Sequence, residues 1–103
     1  MGICVIKLWL DNCRDPKYFV SKNYKYEGWV WAKTYDEAIA LLKTGKVCYV
    51  SLDNNLGLSS GYQVITWIIR NDMWPSEGIK CHSSDPVVCE HMNLNIARYG
   101  PYR

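Results

Sequence analysis

The sequence predicts an α/β fold, a small domain built on a mostly parallel sheet of four strands. Short apolar runs alternate with segments of helical periodicity, and three of the runs end in clusters of polar residues. Strands that alternate with helices pair in parallel through right-handed crossovers. The chain has 103 residues, 49% of them hydrophobic and 21% charged, which is typical of one globular domain spanning 1–103.

The elements of the first half follow from their own residues. "ICVIKLWL" (3–10) is an apolar run and predicts the first strand, which stops at Asp11. Residues 11–28 have no clear period and predict a loop, and "WVWA" (29–32) predicts a short second strand. A helix is predicted over 33–46, because Thr34 and Glu37 form a capping box and Gly45 suits its end.

The second half repeats the alternation. "VCYVSL" (47–52) predicts the third strand, 53–60 a loop, and 61–72 a helix with an apolar inner face. "IKCHS" (79–83) predicts the fourth strand. The last helix begins at Pro86, a residue favoured at the first helical position, with Ser84 or Asp85 as its cap.

Polar residues follow the first, third and fourth strands. They are Asp11-Asn12, Asp53-Asn54-Asn55 and His82-Ser83-Ser84. In open parallel sheets, ligands bind outside the carboxyl ends of the strands. The sequence therefore predicts that the three clusters meet at one edge of the sheet and form a binding site there. Asp11, Asp53 and His82 are expected within about 15 Å of each other, given a strand spacing of about 4.8 Å.

These clusters lie within three motifs, "LDNCRDP" (10–16), "SLDNNLG" (51–57) and "HSSDP" (82–86), and "GY" (61–62) opens a helix. The set resembles the cyclic-phosphate-processing receiver domains, which carry LDDxRxP, SLDHDLG and HSxNP in the same order. The resemblance implies a shortened receiver-like fold, flavodoxin-like with three layers, and a role in handling cyclic or terminal phosphates.

The chain departs from the family motifs at three positions. Two acids of the family are replaced by Asn12 and Asn55, and its histidine by Asn54. Amides remove the repulsion of a phosphate and add N–H donors, which favours holding a phosphate compound over cleaving it. The plainer interpretation is that Asn54 and Asn55 fill a tight turn, since asparagine tolerates left-handed backbone.

Our leading hypothesis is a domain that binds a small phosphate-containing ligand, a nucleotide or cyclic nucleotide, at the strand ends. Arg14 is a candidate clamp, and two predicted helices begin at the same edge with free backbone donors. Similar small proteins occur in phages, so sequestration of a nucleotide signal fits this hypothesis. The predicted ligand-binding residues are Asp11, Asn12, Arg14, Asp53, Asn54, Asn55, His82, Ser83 and Ser84.

Two alternatives stay open. In a metal-dependent phosphoesterase acting on cyclic phosphates, Asp11 and Asp53 would hold Mg²⁺ or Mn²⁺. His82 would then supply acid–base chemistry, with Asp53 as the second catalytic residue. In a protein-interaction domain, the degenerate strand-end site and the aromatic residues of the 11–28 segment would contact a partner or a second copy of the chain.

Charge and composition argue against other classes. A net charge of +2 without a Lys/Arg run argues against binding of a nucleic acid duplex, and no apolar stretch is long enough to cross a membrane. The start of the chain has no signal-peptide pattern and the cysteine count is odd, at five, so we expect a cytoplasmic protein with five free thiols. Cys4, Cys48 and Cys81 lie in strand-like runs, where we expect them to pack as small apolar side chains. Zinc is disfavoured, because the spacing of Cys81, His82, Cys89 and His91 matches no standard site.

Overall fold

The computed structural model describes residues 6–12, 29–53, 55–56, 59–83 and 85–102. The predictions for the loop at 13–28 and for Arg14, Asn54, Ser84, Cys4 and Cys13 therefore lie outside the described residues. The elements in chain order are β1 (Ile6–Leu10), β2 (Trp29–Ala32), α1 (Tyr35–Leu42), β3 (Val47–Leu52), β4 (Asn55–Leu56), β5 (Ser59–Ser60), α2 (Gly61–Asn71), β6 (Gly78–Cys81) and α3 (Pro86–Tyr99).

The main sheet has four strands, all parallel, in the order β2-β1-β3-β6. This confirms the predicted α/β fold with a receiver-like arrangement. The strands that follow β1 lie on opposite sides of it, β2 on one side and β3 on the other. In parallel sheets, the crevice at such a change of direction is where ligands bind, beside the carboxyl ends of the strands.

One face of the sheet forms the hydrophobic core. Leu8, Leu10, Val50 and Leu52 alternate along β1 and β3 and are completely buried. They form one cluster with apolar residues of all three described helices, such as Ile39, Ile65 and Met92. The opposite face carries Trp9, Trp29, Trp31, Tyr49 and Ser51. A helical layer on that second face, as the three-layer prediction requires, is not tested by the described residues.

Local capping explains where the helices begin. Glu37 donates its backbone N–H to the Thr34 hydroxyl at 3.2 Å, as the predicted capping box requires. Gly45, at φ +73°, turns the chain after α1. Of the two candidate caps of α3, Asp85 is the one used, and Pro86 occupies the first turn as predicted.

The predictions for residues 53–60 and for the cysteines were wrong. The stretch 53–60 was predicted to be a loop, but β4 and β5 pair there as a short antiparallel hairpin, Asn55 with Ser60 and Leu56 with Ser59. Two-residue strands are too short to show an alternating pattern, which explains the omission. The five cysteines were predicted to be free thiols, but Cys81 and Cys89 form a disulfide across the start of α3.

The remaining described cysteine, Cys48, is buried and remains a thiol that donates to the Ile6 carbonyl at 3.3 Å. It acts as a small apolar side chain, as predicted. Within the described ranges, no helix has both the length and the apolar character needed to cross a membrane.

Candidate functional site

Asp11, Asp53 and His82 lie side by side at the carboxyl edge of the sheet. Each donates its backbone N–H to the carbonyl of the last residue of the neighbouring strand, at 3.1, 2.9 and 2.9 Å respectively. The sheet ladder therefore continues one residue beyond β1, β3 and β6 and places the three residues in consecutive positions along this edge. The predicted convergence of the clusters is confirmed for these three, while their role in binding stays a prediction.

A chain of hydrogen bonds links the ends of three strands. His82 Nε2 lies 3.0 Å from Asp11 Oδ2, and His82 Nδ1 lies 2.8 Å from Ser51 Oγ. Asp11 is completely buried, Ser51 is 4% exposed, and the His82 side chain is 13% exposed. The carboxylate accepts from Nε2–H, so a neutral imidazole accepts the Ser51 hydroxyl proton at Nδ1. A protonated imidazole donates to both oxygens.

Two tryptophans hold this chain in place. The indole of Trp9 stacks on the His82 imidazole with ring centroids 3.9 Å apart and planes 5° from parallel. Trp31 Nε1 donates to the Asp11 main-chain carbonyl at 2.8 Å. Trp9 and Asp11 are two positions apart along the same strand direction, so both side chains point to the second face of the sheet, the face opposite the hydrophobic core. The imidazole is thus fixed on both nitrogens and on one ring face.

Both imidazole nitrogens of His82 are used inside the protein. A ligand phosphate that bonds to His82 must therefore take the place of Asp11 or Ser51. In this arrangement His82 donates a hydrogen bond to the buried Asp11 carboxylate, which reduces the cost of burying it.

Asp53 follows β3 and is half-buried. Gly61, the first residue of α2, packs directly on its main chain: a Cβ at position 61 would lie 2.2 Å from the Asp53 carbonyl oxygen and 2.9 Å from Leu52 Cδ1. Only glycine permits this approach, which gives the "GY" motif a physical reason. The start of α2 is thereby held against the strand end that carries Asp53.

The donors at the start of α3 are occupied. Asp85 Oδ1 accepts the backbone N–H groups of Val87 at 3.0 Å and Val88 at 3.4 Å, and Ser83 Oγ accepts the N–H of Asp85 at 3.2 Å. The prediction that this helix start offers free donors to a phosphate is corrected: the Asp85 carboxylate takes them. The hydroxyl proton of Ser83 still has the freedom to point away from the loop.

The other predicted site residues are distributed as follows. Asn12 is exposed in the bend after β1, and Asn55 lies in β4, paired through its backbone with Ser60. Sequence reasoning missed Ser51 and Trp9, which contact His82 directly. The available signal was a serine near the end of an apolar strand, in register with Trp9 on the neighbouring strand.

The two predicted metal ligands differ in accessibility. Asp11, the first of the predicted metal ligands, is fully buried and bonded to His82, so Asp53 is the accessible carboxylate of the pair. In the part of the chain that the structure describes, no group of three His, Cys, Asp or Glu side chains is arranged to hold a metal ion. Zinc at Cys81 and Cys89 would require reduction of their disulfide.

Comparison with curated proteins finds no match to this chain, and comparison with solved structures finds none. A family model does match. It describes the cyclic-phosphate processing receiver domain and covers residues 6–98, all but five residues at each end of the chain. The match includes the three strand ends, the disulfide and the hydrogen-bonded chain through His82. The chain belongs to the family of cyclic-phosphate-processing receiver domains.

Proposed function

We propose that this domain captures a small phosphate-containing ligand at the carboxyl edge of its sheet, without metal chemistry. The observation that carries the proposal is the burial of Asp11 against His82 at 3.0 Å. A Mg²⁺ site at this edge would use Asp11 and Asp53 as accessible carboxylate ligands. Here the Asp11 carboxylate is buried and hydrogen-bonded to His82, and two acids of the family motif are replaced by Asn12 and Asn55. The edge therefore repels a phosphate less than an acidic cluster would.

The groups at this edge suit a nucleotide. The Asn12 amide is exposed and the Ser83 hydroxyl is partly exposed, so both can donate to phosphate oxygens. Asp53 is an acceptor, and acidic residues near strand ends accept ribose hydroxyls in dinucleotide sites. A ligand with a phosphate at one end and a sugar hydroxyl at the other satisfies both kinds of group. The family description favours a cyclic phosphate within this class.

The test is a thermal-shift screen of inorganic phosphate, nucleotides and cyclic nucleotides, each with Mg²⁺ and with EDTA. Calorimetry then gives the affinity for the strongest hit, and chromatography shows whether it is intact. We expect binding that survives EDTA and leaves the compound uncleaved. Capture without turnover is also what sequestration of a nucleotide signal requires.

Three variants separate the groups. Arg14→Ala should weaken binding by roughly 1.5–3 kcal/mol, as expected for a lost charge-assisted hydrogen bond. Asp53→Asn should weaken binding of a nucleotide while leaving or improving binding of inorganic phosphate, because it removes both an acceptor and a negative charge. Ser83→Ala should weaken both, and the matched control is Ser76→Ala, since Ser76 is exposed and lies in the turn before β6.

The second candidate is a phosphoesterase, favoured by the fixed imidazole of His82 with a carboxylate on one nitrogen and a hydroxyl on the other. A carboxylate that orients an imidazole is typical of general acid–base sites. In that case the hit is cleaved, and Asp53→Asn or EDTA abolishes turnover. Loss of binding by the native protein in EDTA would favour the metal-dependent phosphoesterase over metal-free capture.

A further inference from the structure

The Cys81–Cys89 disulfide closes a small loop around part of the proposed binding edge. The Cα atoms of the two cysteines are 5.4 Å apart, which is within the usual range for a disulfide. The cysteines are eight positions apart in the sequence. Cys81 ends β6 and Cys89 lies in the first turns of α3. Between them stand His82, Ser83 and Asp85. The bond thus fixes the start of α3 relative to the strand end that carries His82.

The reduced form has a partner in the same place. Cys89 Sγ lies 3.6 Å from the Ser83 main-chain carbonyl, so a thiol at this position donates to that oxygen. Cys89 can therefore bond to the Cys81 sulfur when oxidised and to the Ser83 carbonyl when reduced.

Small thiols can reach the bond. Cys81 and Cys89 are both partly exposed. Cys89 also lines an open groove on the surface of α3, together with Pro86, Glu90 and Leu94. Thiol–disulfide exchange requires an attacking thiolate to reach one sulfur from outside, and this groove permits it.

The bond lies at the margin of the hydrophobic core. Neither cysteine is among the buried members of the core cluster, and Cys81 packs against that cluster as a partly buried residue. A disulfide between residues close in sequence constrains the unfolded chain less than one that closes a long loop. Its strongest effect is therefore local, on the loop that follows β6.

We propose that Cys81 and Cys89 form a reversible thiol–disulfide site that sets the order of the loop carrying His82 and Ser83, and thereby the affinity of the proposed phosphate site. This deepens the proposed function and rests on it. A small disulfide RSSR is the oxidant: one cysteine thiolate attacks it and releases RS⁻, forming a mixed disulfide. The second cysteine thiolate attacks the sulfur of the first cysteine in the mixed disulfide, forms the Cys81–Cys89 bond and releases a second RS⁻. The two electrons leave the protein with the two small thiols.

The experiment equilibrates the native protein in oxidised and reduced glutathione buffers. Intact mass after alkylation counts the thiols, circular dichroism reports the fold, and hydrogen exchange measures the peptide covering residues 82–88. The binding probes are inorganic phosphate and a 3′,5′-cyclic nucleotide. We expect two additional alkylated thiols on reduction, an unchanged fold, at least tenfold faster exchange at 82–88, and at least fivefold weaker probe binding.

The matched control is Cys81→Ser with Cys89→Ser, which should resemble the reduced protein in every buffer. Identical exchange at 82–88 in the two redox states would overturn the proposal, and so would global unfolding on reduction, which would make the bond a structural staple. If exchange responds to redox state while no probe binds in either state, the thiol–disulfide site stands and the proposed phosphate binding falls.

Discussion

A buried carboxylate lowers stability unless its oxygens are hydrogen-bonded, and Asp11 meets this condition through His82 at 3.0 Å. Asp11→Ala removes the carboxylate that accepts the hydrogen bond from His82 Nε2–H, in a site that is mostly closed to water. We expect this change to lower the free energy of unfolding by about 1–3 kcal/mol. Asp11→Asn should lower it less, because the amide oxygen can still accept. Urea unfolding measures both.

The control for a general charge effect is Asp72→Asn, since Asp72 is exposed and its left-handed backbone, at φ 51°, suits asparagine. This control should change stability by less than about 0.5 kcal/mol. Equal losses for Asp11→Ala and Asp11→Asn would show that the hydrogen bond to His82 does not stabilise the fold.

Single residues also show what the sequence could predict. Asp11, Asp53 and His82 were found because each follows an apolar run, and the ends of parallel strands meet at one edge. The Ser51–His82 contact was not predictable in the same way. It depends on which strands are neighbours and on side-chain direction, and neither follows from residues 31 positions apart in the chain.

Among the elements, α2 and the end of β3 are in close contact at Gly61. Gly61→Ala would place a Cβ 2.2 Å from the Asp53 carbonyl oxygen, so the helix or the strand end must move. We expect a loss of about 1–3 kcal/mol, typical of overpacking. The displacement should also weaken phosphate binding, because it shifts Asp53. Urea unfolding and calorimetry with the strongest hit measure the two effects.

Gly45→Ala is the matched control for Gly61→Ala. Gly45 has φ +73° but no atom within 4 Å of a Cβ there, so alanine introduces only backbone strain. It should lower stability by about 1 kcal/mol and leave phosphate binding unchanged. If Gly45→Ala lowered binding as much as Gly61→Ala, the close approach to Asp53 would not be the cause.

How well the bounds of each element were predicted depends on the length of the element and on its capping residues. β2 and β3 have the predicted bounds because short apolar runs with polar ends leave little choice. The helix predicted over 33–46 is shorter, Tyr35–Leu42, because its capping residues and closing turn lie outside the helical segment. The Cys81–Cys89 bond was missed because the strand placement of Cys81 was taken to mean packing, while the nearness of Cys89 depends on how α3 leaves the sheet.

At the scale of the whole molecule, the last residues of the chain pack back onto the segment between α2 and β6. The Tyr102 hydroxyl donates to the Pro75 carbonyl, and its ring meets Trp74 edge-on with centroids 5.9 Å apart. A Cβ at Gly100 would lie 3.2 Å from both aromatic side chains, so the turn there is tightly packed. These contacts hold the end of α3 against the segment just before β6. This end of β6 lies away from the proposed binding edge.

The burial of Tyr102 in this contact predicts that the free energy of unfolding depends on pH. Burial raises the pKa of Tyr102 from 10.0 to about 12. Between these values the folded protein holds a proton that the unfolded chain has lost, so the free energy of unfolding falls as pH rises from 10 to 12. The contribution is fully present below pH 10. Tyr102→Phe cannot ionise and serves as the reference.

Urea unfolding at several pH values from 9 to about 12.5 gives the stability difference between the native protein and Tyr102→Phe. Below pH 10 the native protein should be the more stable of the two, because the hydroxyl donates to the Pro75 carbonyl. That advantage should shrink through the interval in which only the unfolded tyrosine is ionised. A difference that stays constant to pH 12 would mean that Tyr102 ionises as easily in the folded protein as in the unfolded chain. The C-terminal residues would then not hold the ring away from water, and the contact with Trp74 and Pro75 would not close this end of the molecule.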